Sequence, residues 1–260
     1  MGNFFSLVRN ENMKIYRRAR TWVMLAILAF CNVILPILFY MVDSGGQTSL
    51  WDSVILTVSF TFYLCTIFSV IVAADSVAGE FSWGTIKLLL IRPWSRSKIL
   101  LSKYISVILF SLLCTLLLAA VAVLASSVLF GSGGESNLIG PDKSGLVFTF
   151  QYLLCDYVNL FMTVAIAFMI STVFRAGGLS IGLALFIMFA KGIFARLFSP
   201  ERYEWAKYLL FTHMDLSDYL KSDVGPGGVT LGFSLAVLAA YYILFMAVSW
   251  YVFHKRDVAA

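Results

Sequence analysis

The chain has 260 residues, of which 60% are hydrophobic, 16% aromatic and only 13% charged, whereas about a quarter of the residues in an ordinary soluble domain are charged. This composition excludes a soluble enzyme, a secreted disulfide scaffold and a disordered tail, because so few charges cannot keep so much apolar surface dispersed in water. The formal net charge is +5. The Lys and Arg residues lie in short clusters between apolar runs, a pattern typical of membrane-topology signals and not of a nucleic-acid partner.

Residues 1–20 precede the first apolar run and combine apolar with charged side chains. Between residues 3 and 16 this mixture predicts an N-terminal helix that lies along the inner membrane interface, and a frayed tail is the alternative. Arg17, Arg18 and Arg20 resemble the charged region of a signal peptide. The apolar run that follows is too long and lacks a small-residue cleavage motif, so we expect a retained first span.

Six apolar runs are long enough to cross a hydrocarbon core of about 30 Å, which takes about 20 helical residues. They cover residues 22–42, 53–74, 99–130, 147–173, 179–198 and 229–253. The sequence therefore predicts an all-α membrane protein in which residues 1–260 form a single domain with six transmembrane helices. Because the number of spans is even, both termini are expected on the same side of the membrane.

The distribution of basic residues predicts which side holds the termini. Thirteen of the 19 Lys and Arg residues lie in residues 1–21 and 75–103, at Arg175 and at residues 255–256. The other six are Lys143 and five residues that we assign to the long fifth loop, where five acidic residues balance them. Cytoplasmic loops carry an excess of Lys and Arg, so both termini are predicted to be cytoplasmic.

Two segments outside the spans have a predicted structure of their own. Residues 75–92 contain helix formers interrupted by Gly84 and end at Arg92, before a proline, which predicts a short cytoplasmic helix between the second and third spans. Residues 199–228 lie between the fifth and sixth spans and contain Pro200 at a helix-opening position. This arrangement predicts short outer helices in that loop.

The residues that would support catalysis or cofactor binding are missing from the sequence. No phosphate-binding loop of the form G-x-x-x-x-G-K-[ST] is present, because the glycine clusters at 131–134 and 177–182 have no lysine in place. His213 and His254 are predicted on opposite sides of the membrane, so they form neither a metal cluster nor a catalytic pair. The four cysteines show no paired spacing. We therefore predict no catalytic residue, no metal, no cofactor and no enzymatic activity of the chain itself.

Asp156 is the one ionisable side chain well removed from the end of a predicted span. A carboxylate at the bilayer centre costs about 2.5 to 3.5 kcal/mol on insertion scales, so this side chain is expected to face protein or water instead of lipid. Asn159 and Thr163 follow on the same helical face, three and seven residues later. These three residues are the candidates for lining a substrate path. A polar helix contact near the outer interface is the alternative.

The segment 73–104 resembles the first cytoplasmic loop of the membrane-spanning permease subunits of type 2 ATP-binding-cassette (ABC) exporters. Its sequence is A-A-D-S-V-A-G-E-F-S-W-G-T-I-K-L-L-L-I-R-P-W-S-R-S-K-I-L-L-S-K-Y. Supporting patches at 170–182, 209–220 and 253–257 follow in the order that the family shows. The positions that the resemblance assigns to ATPase coupling are Glu80, Gly84, Thr85, Lys87 and Arg92.

The resemblance implies a permease subunit of an ABC-type exporter, which forms the translocation path and lies in the lipid of the bacterial inner (plasma) membrane. Its implied partners are two separate ATPase subunits and a second permease copy, in a homodimer or a related heterodimer. The implied docking surface for the ATPase is residues 3–20 and 75–92. The many aromatic residues would suit an amphipathic peptide, a lipid-like compound or a drug as cargo, although membrane proteins also use aromatics in interface belts.

Two other functions remain as alternatives. A secondary transporter would show several intramembrane ionisable residues and often an internal repeat, whereas we find one acid and no repeat. A non-transporting immunity or sensor subunit built like a permease would have the same sequence pattern.

Overall fold

A computed structural model describes residues 4–43, 48–85, 94–131, 136, 138–139, 144–220, 222 and 224–255. Within these residues the chain forms helices and no strand. The α-helices are α1 (Phe4–Tyr16), α2 (Ala19–Val42), α3 (Leu50–Ser82), α4 (Arg96–Phe130), α5 (Gly145–Val173), α6 (Gly177–Leu197), α7 (Leu210–His213) and α8 (Leu231–Lys255). Short 3-10 helices occupy Glu204–Tyr208, Ser217–Leu220 and Pro226–Gly228.

The helices α2 to α6 and α8 are each long and apolar enough to cross a membrane. The prediction of an all-α protein with six candidate spans is therefore confirmed. We call the end of the helix bundle that carries α1 the α1 end, and the opposite end, which carries α7, the α7 end. The α1 end corresponds to the predicted cytoplasmic side, and that orientation stays a prediction.

Helix α3 lies at the centre of the bundle and packs against α2, α4, α5 and α6. One of its faces carries small, weakly polar side chains, all buried: Thr57, Thr61, Cys65 and Ser69. The Thr61 hydroxyl donates to the Asn32 side-chain oxygen on α2 over 3.0 Å. Small side chains let neighbouring helices approach closely, so this face serves helix packing.

The outer faces of the spans carry large apolar side chains. Phe30 on α2, Phe186 on α6 and Ile243 on α8 are each more than 60% exposed. In water such surfaces would be a liability, whereas in a bilayer lipid covers them. The bundle thus has polar side-chain contacts inside and apolar side chains outside, which suits helices surrounded by lipid. The backbone polar groups of such helices are hydrogen-bonded within each helix.

The structure differs from the sequence prediction at the end of the second span. Residues 75–82 continue α3 without a break, whereas we expected a separate cytoplasmic helix to start at residue 75. Gly79 lies within the helix without interrupting it, and the helix ends at Ser82. The first glycine with a non-helical backbone is Gly84, which has a φ of +70°. Lys87 and Arg92 lie outside the described residues, as does the rest of the predicted coupling segment from residue 86 to residue 92.

The loop between the fifth and sixth spans contains short helices, as predicted, but they begin later than expected. Pro200 was expected to open the first of them. Instead, the Ser199 carbonyl accepts hydrogen bonds from the amides of Arg202 and Tyr203, which closes a turn. The first 3-10 helix starts only at Glu204.

Candidate functional site

Helix α1 turns one face towards α4, and this face carries Leu7, Val8 and Glu11. Spacings of three and four residues place side chains on one side of a helix. The Ser106 hydroxyl on α4 donates to the Val8 carbonyl over 3.2 Å. The sequence of α1 therefore directs a carboxylate, that of Glu11, into the contact with α4.

Lys103 on α4 meets that carboxylate, and its side chain is only 2% exposed. Its ammonium lies 2.9 Å from Glu11 Oε2 on α1 and 2.7 Å from Glu80 Oε1 on α3. It also donates to the Ser76 carbonyl on α3 over 3.2 Å. A lysine ammonium has three N–H donors, and three acceptors surround this one. A single buried cation thus joins α1, α3 and α4.

Lys14 on α1 binds the same two carboxylates from the rim of the site. Its Nζ lies 2.6 Å from Glu11 Oε1 and 2.8 Å from Glu80 Oε1. We call Glu11, Lys14, Glu80 and Lys103 the Lys103 cluster. Burial would raise the pKa of Glu11, but the charges of Lys103 and Lys14 and their hydrogen bonds outweigh burial and hold the pKa below its ordinary value of 4.5. The cluster therefore combines two lysines with two acidic residues, and their formal charges balance.

A second set of ion pairs lies beside the Lys103 cluster. Arg18, which precedes α2, and Arg20, in its first turn, both bind Asp75 Oδ2 on α3. Gly79 lies one turn further along α3, where an added Cβ would come within 2.5 Å of Asp75 Oδ1. The glycine thus leaves room for the Asp75 carboxylate to face the two arginines.

Ser82 joins the last turn of α3 to the connection between α5 and α6. Its hydroxyl donates to the Arg175 carbonyl over 3.1 Å and accepts from the Gly177 amide over 2.8 Å. Together with the ion pairs, these bonds attach the α1 end of α3 to α1, α2, α4 and the start of α6.

Of the residues predicted for ATPase coupling, the structure brings only Glu80 into the Lys103 cluster. Gly84 lies just past α3 in the left-handed region, with open space around it. The Thr85 hydroxyl donates to the Glu80 carbonyl over 3.4 Å. Lys87 and Arg92 fall outside the described residues, so the five positions are not seen as one constellation.

Sequence reasoning missed Glu11 and Lys103, although both left a signal. Glu11 is an acid on the otherwise apolar face of α1, and Lys103 is a base inside a long apolar run. Charged residues in apolar surroundings are almost always paired. Their partners could not be identified because 92 residues separate them in the sequence.

At the α7 end, the predicted face of α5 is only partly open. Asn159 Oδ1 accepts a 2.7 Å hydrogen bond from Lys191 Nζ on α6. Thr163 is buried, and its hydroxyl donates to the Asn159 carbonyl over 2.8 Å. Asp156 is half-buried and interacts electrostatically with Asp215 and Lys191. The structure therefore places Asp156 and Asn159 near a second element and Thr163 inside the helix packing.

Lys191 and Arg196 were assigned to the long fifth loop, and that assignment was wrong. Both lie within α6, because α6 extends to Leu197 with no helix breaker after Gly192. The predicted run 179–198 already contained both residues, so only their assignment to the loop in the count of basic residues was in error.

A cavity of about 460 Å³ opens at this end of the bundle. Its lining comes from α5, α6, α7 and the residues that connect α6 to α8, and it includes Asn159, Lys191, Arg196, Glu201, Asp215 and Asp218. The buried His213 on α7 positions this region. Its Nδ1 lies 2.7 Å from the Ser234 hydroxyl on α8, and its Nε2 lies 2.7 Å from the Lys207 carbonyl. Both ring nitrogens are thus occupied in holding α7 to its neighbours.

Comparison with known proteins places the chain among membrane proteins. Residues 20–259 match the family described as protein of unknown function DUF2705. The chain is 34% identical to the uncharacterized protein YhcI of Bacillus subtilis, over 98% of this chain and 99% of that protein. It is 26% identical to the uncharacterized membrane protein YdbK of the same organism, over 95% and 99%. It is 27% identical to the probable ABC transporter permease protein NosY of Stutzerimonas stutzeri, over 84% of each chain. The six apolar helices and these relatives together indicate a multi-pass membrane protein.

Proposed function

The chain belongs to the family described as protein of unknown function DUF2705, and from that premise we propose that it is the permease subunit of an ABC-type exporter. In this proposal it pairs with a second permease copy and with two separate ATPase subunits, in a bacterial plasma membrane with both termini cytoplasmic. The similarity to NosY, named a probable ABC transporter permease protein, supports the transporter class. The missing phosphate-binding loop supports a division of labour in which another chain hydrolyses ATP.

The Lys103 cluster is the observation that carries the proposal. The resemblance assigns ATPase docking to residues 3–20 and 75–92, and the cluster joins those two segments to each other and to α4 through a buried cation. A displacement of α1 therefore cannot leave α3 and α4 behind without separating buried charges, which is costly. Such a rigid connection is what coupling between an ATPase and the membrane spans requires.

The packing of α3 suggests how a displacement would travel. Because α3 contacts α2, α4, α5 and α6, movement at its α1 end shifts it against four other spans. Small sliding movements of packed helices are a common mode of conformational change. Since α5 and α6 line the cavity at the α7 end, a shift of α3 against them alters access on the side opposite to the ATPase.

The experiment is crosslinking and co-purification from membranes of the native host. A photoreactive probe on Phe5→Cys, at an exposed position of α1, is expected to capture a polypeptide that contains a phosphate-binding loop. The same probe on Val42→Cys, exposed at the α7 end, is the matched control and is expected to capture none. Phe5 and Val42 are 76% and 79% exposed, so the two sites present similar access.

Activity measurements complete this test. The purified complex is expected to hydrolyse ATP, and substitution of the phosphate-loop lysine in the captured partner is expected to abolish hydrolysis. Hydrolysis by the isolated chain would refute the proposal. Capture of no ATPase from either position, with transport driven by an ion gradient alone, would favour the secondary transporter.

A further inference from the structure

The cavity at the α7 end has two walls of opposite charge. Lys191 and Arg196 project from α6 and form its basic wall. Glu201, Asp215 and Asp218 come from the residues after α6 and form its acidic wall. Lys191 is half-buried and the other four residues are exposed, so both walls border a cavity that is open to the outside of the protein.

The two walls do not neutralise each other directly. In the described part of the chain, every ion pair within 4.0 Å lies at the α1 end. Lys191 donates to the Asn159 amide oxygen, and Asp215 Oδ1 accepts from the amide and the hydroxyl of Ser217. Lys191 and Asp215 both line the cavity and lie within electrostatic range of each other. Because they form no ion pair, a gap of more than 4.0 Å separates their charged atoms.

The gap has room for an organic molecule. Its volume of about 460 Å³ falls within the range of about 300 to 1,000 Å³ that is typical of ligand sites. Gly192 lies on the basic wall, and a Cβ added there would meet nothing within 4 Å. Phe211 and Met214 supply apolar lining from α7 and the residue after it, which suits the carbon skeleton of a ligand.

We propose that this cavity binds a zwitterion, whose ammonium group lies against the acidic wall and whose carboxylate or phosphate lies against Lys191 and Arg196. Two sources share this chemistry: a free solute such as a short peptide, and the headgroup of an ethanolamine phospholipid. Either molecule carries two opposite charges separated by a few bonds. It can therefore contact both walls at once while the walls stay apart. The site does not depend on an ATPase partner, so the binding test below stands apart from the proposed transport function.

The test uses the full-length chain in nanodiscs of phosphatidylglycerol, a lipid without an amine. Thermal unfolding is followed while alanyl-leucine or glycerophosphoethanolamine is added. Each zwitterion is expected to raise the melting temperature, whereas ethanolamine and glycerol phosphate, which carry one kind of charge each, are not. Equal stabilisation by the singly charged compounds, or no stabilisation by either zwitterion, would overturn the proposal.

Three variants locate the effect. Gly192→Leu places a bulky side chain on the basic wall and narrows the cavity, and Asp215→Asn removes one charge while keeping the Oδ1 acceptor for Ser217. Each is therefore expected to weaken the apparent affinity roughly tenfold or more. Gly182→Leu introduces the same side chain at another open position of α6 and is expected to leave the affinity unchanged. An unchanged response of Gly192→Leu would place binding elsewhere and overturn the proposal.

A change of lipid distinguishes the two sources. In nanodiscs of phosphatidylethanolamine, occupation by the lipid headgroup would raise the melting temperature of the wild type and not that of Gly192→Leu, and added zwitterions would then have no further effect. Occupation by a free solute would leave the response to alanyl-leucine intact in that lipid. Both results support a zwitterion site and differ only in its natural occupant.

Discussion

Lys103 shows how much one buried charge can determine in a membrane protein. With 2% of its side chain exposed, the ammonium has exchanged water for two carboxylates and a backbone carbonyl. Replacing a whole buried ion pair by apolar groups is often neutral, but removing one partner is strongly destabilising, because it leaves the other charge buried without compensation. Losing this lysine would leave Glu11 and Glu80 sharing Lys14 at the rim.

We therefore expect Lys103→Met to lower the free energy of unfolding by about 3 kcal/mol. Adding Glu80→Gln to this variant is expected to recover part of the loss, since one uncompensated carboxylate disappears. Denaturant unfolding in a double-mutant cycle measures the interaction between the two residues. Lys98→Met, at an exposed position on the first turn of α4, is the control and is expected to have little effect. An equal loss in Lys98→Met, or no coupling in the cycle, would contradict the role of the cluster.

The Lys103 cluster also predicts a pH dependence. Because the folded pKa of Glu11 lies below its ordinary value of 4.5, its ion pairs contribute full stability above that value, and the contribution is lost as the pH falls through the depressed pKa. The difference in melting temperature between the wild type and Glu11→Gln is therefore expected to be constant near neutral pH and to shrink below about pH 4.5. A difference that stays constant into the acid range would show that Glu11 is not held ionised by its lysines.

At the scale of one element, the backbone conformation of Gly84 explains why α3 ends at Ser82. The Trp83 amide donates to the Gly79 carbonyl and the Gly84 amide to the Phe81 carbonyl, and Gly84 then takes a φ of +70°. A left-handed glycine just past the last turn is a common helix stop. The resemblance assigned Gly84 to ATPase coupling, and its backbone conformation is a sufficient reason for a glycine at this position.

We expect Gly84→Ala to destabilise the protein by about 1 kcal/mol, because an L side chain is strained in the left-handed region. Gly84→Asn is expected to cost less, since asparagine tolerates that conformation. Gly182→Ala, in the helical interior of α6 with open space around it, is the matched control and is expected to stabilise slightly. Melting temperatures check this order. If Gly84→Asn keeps the melting temperature of the wild type but no longer stimulates ATP hydrolysis by the proposed ATPase subunit, a direct contact between Gly84 and that subunit is also supported.

At the scale of the whole molecule, the prediction concerns orientation. Thirteen of the 19 basic residues lie in residues 1–21 and 75–103, at Arg175 and at residues 255–256. Because those of them that the structure describes lie at the α1 end, that end is expected to face the cytoplasm. In a variant without the four native cysteines, a membrane-impermeant thiol reagent added to intact cells should label Asp218→Cys and not Lys98→Cys. Both side chains are exposed, so access alone does not distinguish them. External labelling of Lys98→Cys, with Asp218→Cys protected, would reverse the topology.

The sequence alone determined the helical class and the six candidate spans. Hydrophobic runs of about 20 residues are a local property, and each one forms its own backbone hydrogen bonds whatever its neighbours do. The predicted runs therefore match the observed helices to within three residues at every end except that of α3, where the apolar run stops at residue 74 and the helix continues to Ser82. Hydropathy predicts where apolar residues end, and a helix continues until a residue such as Gly84 stops it.

Only the tertiary structure decided which charges meet. Lys14 and Glu80 are 66 residues apart in sequence, and Lys191 and Asn159 are 32 apart. Such pairs depend on which faces of α1, α3, α4, α5 and α6 are turned towards each other. Hydrophobic composition allows each helix many rotations about its own axis, and side-chain packing between helices selects one of them. Asp156 illustrates the same division. Its position in the sequence indicated that the carboxylate faces protein or water instead of lipid, and only the fold placed Lys191 and Asp215 within electrostatic range of it.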